Sequence, residues 1–309
     1  MSEEFDIIVA GAGIAGLSAA LTAARLGRRT MVLSGDVPGG QLLNIEKIDG
    51  YPGFPDGVPG YDLCPIAQEQ AQNAGAEFSA TTITGLTADG DGWSVATGDG
   101  VLTARGVVLA TGAQFKPLGV PGEERLKGKG VSECATCDGP LLKSKVVAVV
   151  GGGDSAMQEA LTLANFASKV VMLHLGDALA GQGVYRDAVT GNGKIELRPN
   201  STVAEILGDE VVTGVRVKSG DGGTAELAVS AVFPFIGLHP STAFLDGGLA
   251  LDNAGAILTD AAMRTRLKGV CAAGAVRAGT PGRAAGAAGE GASAAIALDR
   301  YLTDGAWPT

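Results

Sequence analysis

The chain has 309 residues, enough for two domains with separate cores. It carries 23 Lys and Arg against 33 Asp and Glu, a formal net charge of −10 that argues against nucleic-acid binding, which needs clustered cations. Hydrophobic residues make up 46% and aromatics only 5%, with 49 glycines, so the cores should be aliphatic and the turns tight.

The N-terminal Met1-Ser2-Glu3-Glu4 is acidic, unlike the positive start of a secretory signal, and no apolar run reaches the ~18 residues of a membrane span. With four cysteines and no export signal, the expectation is a cytoplasmic protein that meets no membrane. Phe5 to Ala10 reads as a buried parallel strand, followed at once by Gly11-Ala12-Gly13-Ile14-Ala15-Gly16 and then by helical spacing from Leu17 to Leu26. In such a unit the first glycine makes the turn, the second admits a pyrophosphate, and the third lets helix and strand pack closely. The next strand, Thr30 to Leu33, ends at Ser34-Gly35 with Asp36 beyond, so the usual ribose acid is displaced or missing.

Gly39-Gly40-Gln41, followed by Asn44, reads as a Gly-rich loop. Tyr61 to Ala74 is helical, with Cys64 as a small buried hydrophobe, and Ile83 to Asp99 turns like a β-meander. Val107 to Gly112 is another buried strand, closed by Ala110-Thr111-Gly112.

Cys134-Ala135-Thr136-Cys137-Asp138-Gly139 organises the middle of the chain. Two cysteines at this spacing can close and reopen a disulfide ring, and Asp138 could pass protons as they do so. Half of a zinc site is the alternative, but Cys64, Cys271, His174 and His239 are scattered, so no metal is expected. Val146 to Val150 is a strand leading into Gly151-Gly152-Gly153-Asp154-Ser155-Ala156, a second dinucleotide motif with its helix at Met157 to Ala167. The second strand of that unit, Val170 to Leu173, ends in His174-Leu175-Gly176-Asp177, with Asp177 read as a loop carboxylate. Gly282 to Ile296 is rich in Gly and Ala, and composition alone suggests a linker.

Two nucleotide motifs flanking a dithiol resemble the low-molecular-weight thioredoxin reductases nearly end to end, on the glycine motifs, Gly39-Gly40-Gln41, Ala110-Thr111-Gly112 and the dithiol hexapeptide. The resemblance implies an α/β fold of two Rossmann-like dinucleotide-binding domains (three-layer ββα), the second inserted in the first. An FAD domain would comprise residues 1–113 and 242–309, and a pyridine-nucleotide-type domain, 114–241, would carry the dithiol. Cys137 would face the flavin, Cys134 would attack the substrate disulfide, and Asp138 would be the acid–base group. The resemblance also implies that Gly282 to Ile296 is a helix of small residues, the reading preferred to a linker. The FAD contacts would come from Gly11, Gly13, Ala15, Gly16, Gly39, Gly40, Gln41, Asn44, Ala110, Thr111, Gly112, Gly274, Ala275, Arg283 and Ala284. The implied partners are a thioredoxin-like protein or a small disulfide or dithiol, in a homodimeric enzyme.

The departures are specific. The family's His-Arg-Arg stretch and further arginine, which hold NADPH, read here as His174, Leu175, Gly176 and Ala180. Loss of three charge-assisted contacts, each about 1.5–3 kcal/mol, makes NAD(P)H a doubtful donor unless Arg186 or Lys194 compensates. It leaves two donors open: reduced ferredoxin or another one-electron carrier, and NADH through a degenerate site. The flavin-contacting Gly-Asp reads Gly274-Ala275, and the following Arg-Gln pair reads Gly282-Arg283, with Arg283 either near the flavin or on the surface. Two other functions use the same parts: a flavin dithiol oxidase passing electrons to O2, and a non-catalytic redox-sensing or binding protein.

Overall fold

The structure is a computed structural model, and it describes residues 4–35 and 37–307. Asp36 lies outside the described residues, as do Met1 to Glu3 and the last two positions, Pro308 and Thr309. The chain divides into two compact units: residues up to Gln114 and from His239 onward form the first, and Phe115–Leu238 forms the second, inserted in it.

In the first unit, β1 (Glu4–Ala10), β2 (Thr30–Leu33) and β3 (Glu77–Ser79) are parallel neighbours. They are joined by α1 (Ile14–Arg25) and α2 (Gly60–Asn73). A meander, β4 (Ile83–Asp89), β5 (Gly92–Thr97) and β6 (Gly100–Leu109), returns β6 to the far side of β1, giving the order β3-β2-β1-β6-β5-β4. β6 is longer than the buried segment read from the sequence because, besides pairing with β1, it serves two neighbours along its other edge. Its first half pairs with β5 through residues 100–104, and Val107 to Leu109 pair with a later strand, Val270–Ala272. A Cβ on Gly106, between those halves, would press on Leu298 at 3.1 Å.

The parallel strands bury both faces, which is why they are apolar runs rather than alternating ones. Ile7, Val9, Val108 and Cys271 cluster with Leu17, Ala20, Ala23 and Leu298 of the helices. Ile8, Ala10, Val107 and Leu109 cluster with Trp93 and Val95 of the meander.

In the second unit, after a short β7 (Ala113–Phe115) that begins in the first unit, come two one-turn helices, α3 (Glu123–Leu126) and α4 (Ala135–Asp138). Then β8 (Val146–Val150), α5 (Asp154–Ala164), β9 (Lys169–Leu173), α6 (Gly183–Thr190) and β10 (Ile195–Arg198) form a βαβαβ unit. An antiparallel sheet of β11 (Ser201–Leu207), β12 (Gly214–Ser219) and β13 (Thr224–Ala228) follows, and β14 (Ala231–Pro234) returns beside β8 in the order β10-β9-β8-β14. Val147, Val149, Val170, Met172 and Phe233 face Met157, Ala160 and Leu163 of α5. Ala148, Val150, Val171 and Val232 face Val203, Val215 and Val217 of the antiparallel sheet. Each unit is therefore a parallel sheet between helices and an antiparallel layer, the two-Rossmann α/β fold.

The chain ends with β15 (Leu238–Pro240), which begins in the second unit, then β16 (Val270–Ala272) and α7 (Ala284–Asp304) in the first. The Gly/Ala-rich stretch is this 21-residue helix, not a linker. Its small residues let it lie against α1: a Cβ on Gly291 would be 1.9 Å from the Ala15 carbonyl oxygen. Trp307, unreadable in the sequence, stacks edge-on against Tyr301 at 5.3 Å and donates to the Thr265 carbonyl. Among the described residues no helix is long and apolar enough to cross a membrane.

Candidate functional sites

Cys134 and Cys137 are joined in a disulfide, with Cα atoms 5.3 Å apart. Cys134 is half-buried and Cys137 exposed. The one-turn helix between them sets their relation. Cys134 is its N-cap, and the Cys137 backbone N–H donates to Cys134 Sγ at 3.1 Å. When the ring opens, that N–H favours a thiolate on Cys134. The turn is fixed from below by a residue sequence reasoning missed, Glu159 of α5. It is buried, and its carboxylate accepts the Ala135 N–H at 2.9 Å. A buried acid six residues into a helix that follows a glycine motif was the available signal. Asp138 is half-buried at the end of the turn, beside Cys137 in sequence, with its N–H on the Cys134 carbonyl. Among the described residues no cluster of His, Cys, Asp and Glu could hold a metal.

In the first unit the three glycines of the first motif separate into two kinds. Gly11 has φ +108°, and a Cβ there would lie 2.3 Å from the Ala110 oxygen. A Cβ on Gly16 would lie 1.9 Å from the Gly11 oxygen. Both are required by the fold itself. A Cβ on Gly13 would meet no protein atom within 4 Å, so the fold does not demand glycine there. The open space lies at the N-terminus of α1, whose first turn carries no acidic residue and whose N–H groups favour an anion.

Other segments converge on that terminus. Gly39 pairs with Gly13, and its N–H donates to the Ala12 carbonyl at 2.8 Å. A Cβ on Gly40 would lie 3.3 Å from Gly13 Cα. The loop expected at Gly39-Gly40-Gln41 is mostly a 3-10 turn, Gly40–Asn44, too short to show a period in sequence. Gln41 donates to the Ala113 carbonyl at 3.3 Å, and Asn44 ends the turn, exposed. Thr111 hydrogen-bonds the Ser241 carbonyl at 2.8 Å, and the Gly112 oxygen accepts the Ser241 N–H, which holds Ala110-Thr111-Gly112 in place. Gly274 lies against Ala15, while Ala275 is half-buried. Ala284, the first residue of α7, joins the apolar group around Ile14, and Arg283 is exposed at the N-cap. Glycine-lined backbone, a helix N-terminus without acid and open room at Gly13 fit the pyrophosphate of FAD.

The second motif is built alike but furnished differently. Gly151 is again forced, its Cβ falling 2.2 Å from the Phe235 oxygen, and Gly153 is again open. Here, however, the first residue of the helix is Asp154, whose carboxylate accepts the Gln182 N–H at 2.8 Å. The segment after β9 folds onto the motif, with Leu179 buried and the Ala180 N–H on the Gly152 carbonyl at 2.8 Å. Leu175 is exposed, and Asp177 accepts from Asn200. Of the two candidates to replace the missing cations, Lys194 donates instead to the Ala164 carbonyl at the other end of α5, and Arg186 is exposed on α6. Arg198 pairs with Glu196.

A family model described as pyridine nucleotide-disulphide oxidoreductase matches residues 5–291. The chain is 40% identical over 308 residues to a thioredoxin reductase of Listeria monocytogenes, covering 98% of this chain and 96% of that one. It belongs to the low-molecular-weight thioredoxin reductases of that family. Their fold is shared in detail: the thioredoxin reductase of Lactococcus lactis superposes with a TM-score of 0.94 at 35% identity, over 97% of this chain and 99% of that one. A ferredoxin-flavin thioredoxin reductase from Clostridium acetobutylicum gives a TM-score of 0.54 at 29% identity, over 97% and 99%. The chain is thus an enzyme, a flavin disulfide oxidoreductase, and the Cys134–Cys137 ring is its redox-active pair.

Proposed function

We propose that this thioredoxin-reductase-family enzyme passes electrons through its Cys134/Cys137 dithiol to a thioredoxin-like protein or small disulfide, with a primary donor other than NADPH. The observation that carries the exchange is the disulfide ring with the Cys137 N–H on the Cys134 sulfur. With the ring open, the Cys134 thiolate attacks one sulfur of the substrate disulfide and displaces the other as a thiolate. Asp138 relays the Cys137 proton to this leaving sulfur, which also frees Cys137 as a thiolate. Cys137 then attacks Cys134, closing the ring and releasing the second substrate thiol, so two electrons have left the dithiol. FAD, when bound, would supply the two electrons needed to reopen the ring. Gly11, Gly13, Ala15 and Gly16 would hold its pyrophosphate end, and Gly39, Gly40, Gln41, Asn44, Ala110, Thr111, Gly112, Gly274, Ala275, Arg283 and Ala284 would supply the other contacts.

The donor reading is supported by Leu175, Gly176 and Ala180 in place of cations and by Lys194 being engaged elsewhere, while Arg186 is exposed on α6. The similarity to a protein named for ferredoxin makes a reduced ferredoxin the first donor to test. The working form is a cytoplasmic homodimer with separate FAD and pyridine-nucleotide-type domains.

The exchange is tested independently of the donor by photoreducing the protein under argon and adding oxidised thioredoxin. The wild type should return two thiols per thioredoxin, and the Cys134→Ser/Cys137→Ser double variant none. Equal yields would refute it.

A further inference from the structure

Glu290 lies in the second turn of α7 and is 7% exposed. Both of its oxygens are engaged: Oε2 accepts the Gly274 N–H at 2.7 Å, and Oε1 pairs with Arg277 Nη2 at 2.6 Å. A buried carboxylate is tolerated only when it is paired and hydrogen-bonded in this way. Its two partners bracket the short turn Gly274–Val276. Arg277 adds bonds from Nη1 to the Ala278 carbonyl at 2.9 Å and to Thr259 Oγ1 at 3.3 Å. Among the described residues its buried Nε has no acceptor.

The turn is held from two sides. Ile257 bonds it through the Val276 carbonyl and the Ala278 N–H, and Glu290 anchors it to α7. Gly274, at φ +76°, is pressed onto α1, where a Cβ would lie 2.8 Å from that of Ala15. Ala15 is two residues from the open position Gly13. Position 275 carries only a methyl group, so this turn can offer a cofactor little beyond main-chain atoms, and those are only as well placed as the turn.

We infer that Glu290 and Arg277 are positioning residues for the flavin, holding the Gly274–Val276 turn against the N-terminal turn of α1. The inference rests on the reading of this cleft as the FAD site.

Three variants test it: Glu290→Ala, Glu290→Gln and Arg277→Met. The measurements are FAD dissociation from the stripped and reloaded protein by flavin fluorescence, the visible absorption band of the bound flavin, and the melting temperatures of stripped and loaded forms. Glu290→Ala should weaken FAD about tenfold or more, since a charge-assisted contact is lost. It should also change the band shape and shrink the gap between loaded and stripped melting temperatures. Arg277→Met should do the same to a smaller degree, and Glu290→Gln, which keeps an acceptor for Gly274, should recover most of the affinity. Wild-type affinity and band shape in Glu290→Ala, with both melting temperatures lowered equally, would overturn the inference. If Glu290→Ala does not fold, the Arg277→Met protein decides, and an unchanged affinity and band shape there would overturn it too. A wild type that takes up no FAD would overturn the flavin reading, and the positioning role with it.

Discussion

The Cys137 N–H donates to the Cys134 sulfur at 3.1 Å, yet Cys137 is the more exposed of the two. Hydrogen bonding therefore selects Cys134 as the stabilised thiolate, while exposure alone would select Cys137. Each single Cys→Ser change should abolish disulfide turnover, because ring closure needs both sulfurs. The two differ in what they trap. The probe is a thioredoxin that lacks its resolving cysteine and carries its attacking sulfur as a mixed disulfide with thionitrobenzoate. With it, Cys137→Ser should release thionitrobenzoate and accumulate a protein–protein disulfide through Cys134 on a non-reducing gel, and Cys134→Ser should not. The reverse pattern would exchange the roles.

The first glycine motif makes a graded prediction. Gly16→Ala drives a Cβ into the Gly11 carbonyl and should destabilise the fold by about 3 kcal/mol or more, seen as a large drop in melting temperature. Gly13→Ala has room and should change the stability of the stripped protein by only about 1 kcal/mol or less. It should nevertheless weaken FAD retention, measured as the flavin-to-protein absorbance ratio after dialysis. The wild type should purify yellow with close to one FAD per chain.

Much of this was legible from residue types. A strand running straight into Gly-x-Gly-x-x-Gly is a local pattern, so both nucleotide-type units and their order could be read before any contact was known. The dithiol was equally plain. Glu159 and Glu290 were not, because what matters in them is a backbone N–H far along the chain, Ala135 for one and Gly274 for the other. Lys194 misled for the same reason: its charge is visible in sequence, but its commitment to the end of α5 is tertiary. The helices α1 and α5 begin earlier than the apolar spacing suggested, since their first turns contain the motif residues themselves.

Burial pushes the Cys64 thiol up to about 11, and the Cys271 thiol is raised further by the same cause. Cys64 also donates to the Gly39 carbonyl at 3.4 Å. At pH 8 neither should react, so the reduced native protein should titrate two thiols with a disulfide reagent and four in denaturant. Because the folded pKa of each exceeds the unfolded value, their contribution to stability is complete below about pH 9 and is lost as pH rises above it. Melting temperature should fall between pH 9 and 11, and less so in Cys64→Ala.

Glu159→Gln should keep an acceptor for the Ala135 N–H, whereas Glu159→Ala strands that buried N–H at a cost of about 1–3 kcal/mol. A lower melting temperature and slower turnover are expected for alanine, with glutamine close to wild type.

If the missing cations are what exclude NADPH, Leu175→Arg, Gly176→Arg and Ala180→Arg together should create NADPH-dependent flavin reduction where the wild type has little. A triple variant that stays inert would show that the cleft is closed by more than missing charge, as Asp154 and the docked Leu179–Gln182 segment allow.

The most direct test of the account is anaerobic stopped-flow reduction of the bound flavin by NADPH, NADH and reduced ferredoxin, side by side on one preparation. The account predicts rapid bleaching with ferredoxin, slow bleaching with NADPH even at millimolar concentration, and NADH little better. Rapid bleaching at micromolar NADPH would contradict it and make this an ordinary NADPH enzyme despite Leu175, Gly176 and Ala180.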